Sequence, residues 1–278
     1  MPTTLTPADL EIQPRNIKFN DEAAPNERCW AGGDPIATAW YNALSITFPA
    51  GETFFIESVR RFEKDVPDHL GEQIKAFVKQ EAFHTREHNS FNSRVKEAGY
   101  DIARMEADVQ ARLDQARDTH PVVQLGLTTA LEHFTAIFAH SALKQPDLLA
   151  GADMNAQRMW GWHAIEEIEH KAVAFDTYRY ATRDVPKFKR WMIRSLTFLN
   201  VSRNFLTGRW REALELLEQD GITGIQARWK LAWLLWGKPG LVRRVFFPWL
   251  AYFRPGFHPW QIDDRDLISD AQRRLGLT

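Results

Sequence analysis

The chain has 278 residues, 44% hydrophobic and 26% charged, with 35 Lys and Arg against 36 Asp and Glu. That balance suits a globular core in one large or two small domains and excludes a dedicated nucleic-acid binder, which would carry a basic excess. Cys29 is the only cysteine, which excludes an intrachain disulfide and a thiolate-held metal cluster and fits a reducing, cytoplasmic setting.

Residues 1–34, rich in Pro, Asn and Asp, read as an irregular arm without the basic and apolar regions of a secretory signal. A helical pattern runs from Pro35 to about Phe48, where Pro49 either kinks the helix or opens a new one. AGETFFIESVRRFEKDV reads as a helix ending near Val66, before Pro67. Asp68 is placed to cap the next helix, which runs to about Ala98 and stops at Gly99. A polar helix at roughly 102–118 follows, then a long apolar one from Pro121 to about Gln145 and another from about Asp153 to Thr182. No uncharged run approaches transmembrane length, and strand and hairpin signals are nearly absent. The expected fold is all-α. A four-helix bundle at 35–185 is followed by a helical extension at 186–278, which is packed on the bundle and holds seven of the eleven Trp.

Successive helical residues are about 100° apart, so His163, Glu167 and His170 fall within about 60° of one another. Glu166 lies beside that face, and Glu169 lies well off it and reads as an outward acid. The same Glu-x-x-His pattern occurs at Glu81 and His84, with His88 one turn on. Between these helices, Glu132 is the only acid from Asp118 to Asp147. A carboxylate in such an apolar helix is costly unless it is paired, protonated or bound to a cation. Glu52 opens the set, and Glu57 lies about 140° away from it on a helix. The order is therefore Glu52, then Glu81 with His84, then Glu132, then Glu167 with His170. That is the pattern of bundles that bind two metal ions. His163 is placed either as a further ligand or as a hydrogen-bond partner of one. His88, His133 and His140 read as packed core or rim.

The stretches NALSITFPAGETFFIESVR, QEAFHTREHNSFN, ALEHFTA, WHAIEEIEHKAVAFD and RPGFHPW resemble the family of predicted metal-dependent hydrolases, of ferritin-like type, from about 35 to 265. The ligand spacing is also similar to that of the di-iron N-oxygenases acting on aromatic amines. These add a third histidine four residues before the last Glu-x-x-His, where His163 stands.

The leading expectation is a dinuclear enzyme, with iron first and manganese as the alternative that the same ligands allow. It would activate dioxygen to oxidise an organic substrate. Beside it stand a dinuclear metal-dependent hydrolase, a non-catalytic metal-storage protein of ferritin type, and a membrane-associated helical protein with structural acids. The expected partners are dioxygen and a small molecule of apolar or acyl character; a homodimer stays open. From 186 to 260 there are 13 Lys or Arg against 4 Asp or Glu. Such a basic, Trp-rich stretch can rest on a membrane surface, although its prolines break its last third into short pieces, which favours packing on the bundle.

Overall fold

The computed structural model describes residues 6–7, 9–19 and 27–277. Among the described residues there is no strand. The helices are α1 (Pro35–Ser45), α2 (Phe48–Arg60), α3 (Asp68–Glu97), α4 (Ala103–Arg117), α5 (Pro121–Leu143), α6 (Met154–Glu169), α7 (Val173–Ala181), α8 (Lys187–Gln219), α9 (Gly224–Trp236), α10 (Leu241–Arg244), α11 (Phe246–Ala251) and α12 (Arg265–Leu275).

Local chemistry sets the starts. Asp34 accepts from the Ile36 amide ahead of Pro35, and Asp153 accepts from the Asn155 and Ala156 amides, so each carboxylate satisfies orphan donors of a first helical turn. α1 ends at Ser45, and Ile46 and Thr47 separate it from α2. α2 stops at Arg60, six residues short of the expected end, because α3 packs along it and the chain must reverse before Pro67. Gly71 sits where an added Cβ would lie 3.3 Å from the Glu63 carbonyl oxygen of that turn. Asp68 is the first helical residue of α3, and Pro67 takes the capping position.

The expected single helix at 153–182 is two helices, α6 and α7, broken after Glu169. His170 leaves helical geometry at φ −98°, ψ 5°. At the break, buried Lys171 pairs with Asp264 at 2.7 Å and lies 3.9 Å from the centre of the Trp260 ring. A continuous helix would have to carry that side chain without these partners.

α2 lies along α3, α5 lies along α6 and α7, α2 meets α5, and α3 meets both α6 and α7. One apolar cluster, with Phe134, Phe198 and Tyr252, lies where α5 meets α8, and two further clusters fill the rest of the interior. Of these two, one holds Val59, Ile74, Phe77 and Leu125, and the other Trp40, Met159, Trp162 and Ile165. After Pro186, α8 packs on α1 and α5, α9 on α8, and α12 on α6. By length and composition α5 is apolar enough to cross a membrane, although Glu132 divides it and no uncharged run in it reaches that length. Its most apolar stretch is 61% buried within the protein, and it carries Glu132 and His133 at mid-length.

Candidate metal centre

The seven residues singled out by spacing come together. Glu52 projects from α2, Glu81 and His84 from α3, Glu132 from α5, His163 and Glu167 from α6, and His170 from the break after α6. They form three overlapping groups, Glu52–His84–His163, Glu81–His84–Glu167 and Glu81–Glu132–His170, with potential ligand atoms within 4.8 Å of one another in each. None of the seven is more than 4% exposed. The His170 ring packs 4.8 Å from that of Phe77, and the His84 ring 4.8 Å from that of Trp162, which places the centre between the apolar clusters that hold those two rings.

The four buried carboxylates here have imidazoles as their nearest basic groups, and Glu52 Oε2 also accepts from the Thr85 hydroxyl at 3.0 Å. Among the described residues, no Lys or Arg comes within 4.0 Å of Glu52, Glu81, Glu132 or Glu167. His170 Nε2 lies 3.1 Å from Glu81 Oε1 and 3.4 Å from Glu132 Oε2, close enough for attraction but outside hydrogen-bond geometry. Both oxygens of Glu81 and of Glu132, Glu52 Oε1, Glu167 Oε2, His84 Nδ1 and His170 Nε2 are buried without a hydrogen-bond partner. Leaving so many donor-seeking atoms unsatisfied is costly. Hard oxygen and nitrogen donors converging in this way fit iron, manganese or a similar cation, and cations would satisfy all of them at once.

Burial drives the ionisation of the acids. It raises Glu52 to about 8 and Glu132 to about 7, and it holds Glu81 well above the carboxylate range. Glu167 goes the other way: burial would raise it, but His170 and His163 hold it well below its ordinary value. Burial also opposes charge on His84 and His170, yet Glu166 and Glu167 around the first, and Glu167 and Glu132 around the second, raise both well above the imidazole range. In the metal-free chain, protons stand where cations fit.

A second layer fixes which nitrogen of each imidazole faces inward. Gln80 Nε2 donates to Glu169 Oε2 at 2.9 Å, so its Oε1 accepts from His170 Nδ1 at 2.9 Å and Nε2 turns to the acids. His84 Nε2 donates to Glu166 Oε2 at 3.1 Å, leaving Nδ1 inward. A longer relay reaches His163. Asn92 donates to the Ser45 carbonyl, so its Oδ1 accepts from the Ser45 hydroxyl at 2.7 Å. Ser45 Oγ then accepts from His88 Nδ1 at 2.8 Å, and His88 Nε2 accepts from His163 Nδ1 at 2.7 Å. By this logic of donors and acceptors, His163 presents a lone pair at Nε2, 3.0 Å from Glu167 Oε1. Burial and then His84 lower His163 to about 4, so the ring is neutral. Two acceptors facing each other at that distance need a cation between them.

Glu169 is not an outward acid. It and Glu166 are buried, and both receive Arg15, whose guanidinium lies 2.7 Å from Glu169 and 3.3 Å from Glu166. The Arg15 amide also donates to Glu166 at 2.9 Å. The described part of the arm thus straps the outer side of the centre, and Arg15 had no signal in the irregular sequence around it. His88 is more than packing because it orients His163; its place one turn after His84 was the available hint. Gln80, Ser45 and Asn92 were missed as well. His133 is buried elsewhere, 3.3 Å from the Pro248 carbonyl oxygen, and burial lowers it to about 3. His140 pairs with Asp264, and Glu57 with Arg117.

A cavity of about 240 Å³ adjoins the centre. α6 supplies one wall lengthwise through Met154, Arg158, Gly161, Ala164 and Glu167, and His163 also faces the cavity. Most of the remaining lining is apolar and includes Phe48, Phe138 and Leu149.

An all-helical chain with a buried carboxylate–imidazole cluster of this kind has the makings of a metal-dependent protein. The chain belongs to the family described as predicted metal-dependent hydrolases, which it matches over residues 13–263. No curated protein and no solved structure matches it.

Proposed function

We propose that this chain is a metal-dependent hydrolase with two metal ions, acting on a small and largely apolar molecule. The observation that carries the reading is the set of buried, unpartnered ligand atoms on Glu52, Glu81, Glu132, Glu167, His84 and His170, joined to the family's description. Four carboxylates balance the charge of two divalent ions. His163, His84 and His170 would terminate the ions, with iron or manganese suited to the donors. Bound there, the metal supplies an acidified water and polarises the substrate's reacting group.

The chain's own residues do the rest. Gln80, Glu166 and the Ser45–His88 relay hold each imidazole in its ligating tautomer. The apolar wall orients the substrate's body toward His163 and Glu167 and excludes bulk water. Arg158, whose Nε is buried without a hydrogen-bond partner, and Arg274 line the same cavity and suit a substrate with an anionic group. The packing of α2, α3, α5 and α6–α7 supports a four-helix bundle of ferritin-like type.

A second reading, oxidation by dioxygen, is favoured by the order Glu, Glu-x-x-His, Glu, Glu-x-x-His, which is the donor set of di-iron and di-manganese bundles. Metal analysis under low oxygen, followed by parallel assays of ester and phosphoester hydrolysis and of oxygen uptake, separates the two. Hydrolysis that depends on the metal, with no oxygen uptake by the ferrous form, is expected. Oxygen uptake by the ferrous protein with no hydrolysis under any loading would establish the second reading in its place.

A further inference from the structure

Fifteen large apolar side chains are exposed among the described residues, and twelve of them lie between Phe188 and Leu250. That stretch is less than a quarter of the chain, so random scatter does not account for them. On α8, Phe188, Met192, Leu196 and Leu199 recur at the spacing of one helix face. On α9, Ile225, Trp229, Trp233 and Trp236 do the same, and the exposed rings of Trp229 and Trp233 stack at 5.5 Å. α11 exposes Phe246, Phe247 and Leu250.

These helices adjoin. Trp249 Nε1 of α11 donates to Ser202 Oγ at 2.8 Å, and Trp191 Nε1 of α8 donates to the Phe253 carbonyl at 2.8 Å. α10 packs against both α9 and α11. The charge on this part of the molecule is one-sided. Between 186 and 260, ten Lys and Arg are exposed, among them Lys187, Lys189, Arg228, Lys230, Arg243 and Arg244, against one exposed acid, Glu218.

So many exposed apolar side chains on adjoining helices need an occupant. A second copy of the chain is disfavoured by charge, because a two-fold interface lays the same patch on itself and would set cation against cation. An anionic lipid surface meets both features. The apolar stripes enter the headgroup boundary, Trp rings suit that depth, and long basic side chains keep their charges at the phosphates.

We propose that the adjoining faces of α8, α9 and α11 dock this protein on an anionic membrane surface. The docking is peripheral: neither α8 nor α9 is long and apolar enough to span a bilayer. It is independent of the metal chemistry.

The test is co-sedimentation of the full, metal-loaded chain with phosphatidylcholine vesicles, with and without phosphatidylserine, at low and high salt. Binding is expected with phosphatidylserine and is expected to weaken with salt. Arg243→Glu with Arg244→Glu is expected to lower it more than tenfold, since each basic residue near the surface contributes roughly fivefold. Trp229→Ser with Trp233→Ser is expected to weaken binding to the same vesicles while leaving helicity and metal content unchanged. Equal binding to neutral vesicles, or no binding to either, overturns the proposal. So does a dimer in sedimentation that the tryptophan variant dissolves, with no vesicle binding by the parent chain.

Discussion

His163 Nε2 and Glu167 Oε1 face each other as two acceptors at 3.0 Å, and the arrangement rests on a hydroxyl three residues removed in the relay. Ser45→Ala takes away the acceptor for His88 Nδ1, so the His88–His163 pair is free to adopt the other tautomer. Metal affinity is expected to drop about ten- to a hundredfold, as it does when groups behind a ligand are lost, with little change in thermal stability. A metal titration giving the parent affinity would show that the relay does not set the tautomer. The acids predict a pH dependence. Without metal, folded Glu52 and Glu132 keep their protons to about 8 and 7, against 4.5 for a glutamate in water. Between about pH 4.5 and 8 the folded state therefore binds more protons than the unfolded one, and metal-free stability falls as pH rises. Metal must displace the same protons, so its apparent affinity is expected to climb through that window. Urea unfolding and metal titration across pH check the two slopes, which have opposite signs.

Along α5 one acid sits in an otherwise apolar helix that packs on α2, α6, α7 and α8. Glu132→Leu is expected to abolish normal metal binding while stabilising the metal-free protein at pH 8 by about 2 kcal/mol, because a buried charge gives way to an apolar side chain of similar size. A destabilised metal-free variant in thermal unfolding would refute this account of the burial cost. The break after α6 makes the converse case. Lys171→Met leaves Asp264 buried with His140 as its remaining side-chain hydrogen-bond partner, and loss of one member of such a pair costs about 3 kcal/mol. Chemical denaturation measures that loss, and a change of under about 1 kcal/mol would show that the pair does not hold the break. These two elements also mark what a sequence discloses. Glu81 with His84, and His163 with Glu167, could be placed on shared faces because helical spacing alone brings them together. Glu132 stood out because its neighbours are apolar. The break could not be read, since its partner Asp264 lies 93 positions away. Arg15, Ser45 and Asn92 escaped for the same reason: their roles come from tertiary approach and leave no local pattern.

At the scale of the whole molecule, the arm, the interior and the C-terminal helices all bear on one centre. The arm closes it from outside. Arg15 holds Glu166 and Glu169, and Phe19 donates its amide to Glu87 at 2.9 Å. Arg15→Ala takes the guanidinium from two buried carboxylates and leaves Glu166 with His84 alone as its basic partner, and a fall of about 3 kcal/mol in stability is expected, together with weaker metal retention through His84. Dialysis against a chelator, run beside thermal unfolding, tests both. The cavity reaches the centre on the side of α6. His163 and Glu167 line it, whereas Glu52, Glu81, His84, Glu132 and His170 do not, so the Glu81–Glu132–His170 group has no residue on the cavity. Two ions held here as proposed would therefore not exchange at one rate. An ion near His163 would leave and be replaced first, and one among Glu81, Glu132 and His170 would stay until the helices part. Brief exposure to a different metal would produce a mixed pair, so the composition of the protein at any moment records the order in which metals reached it.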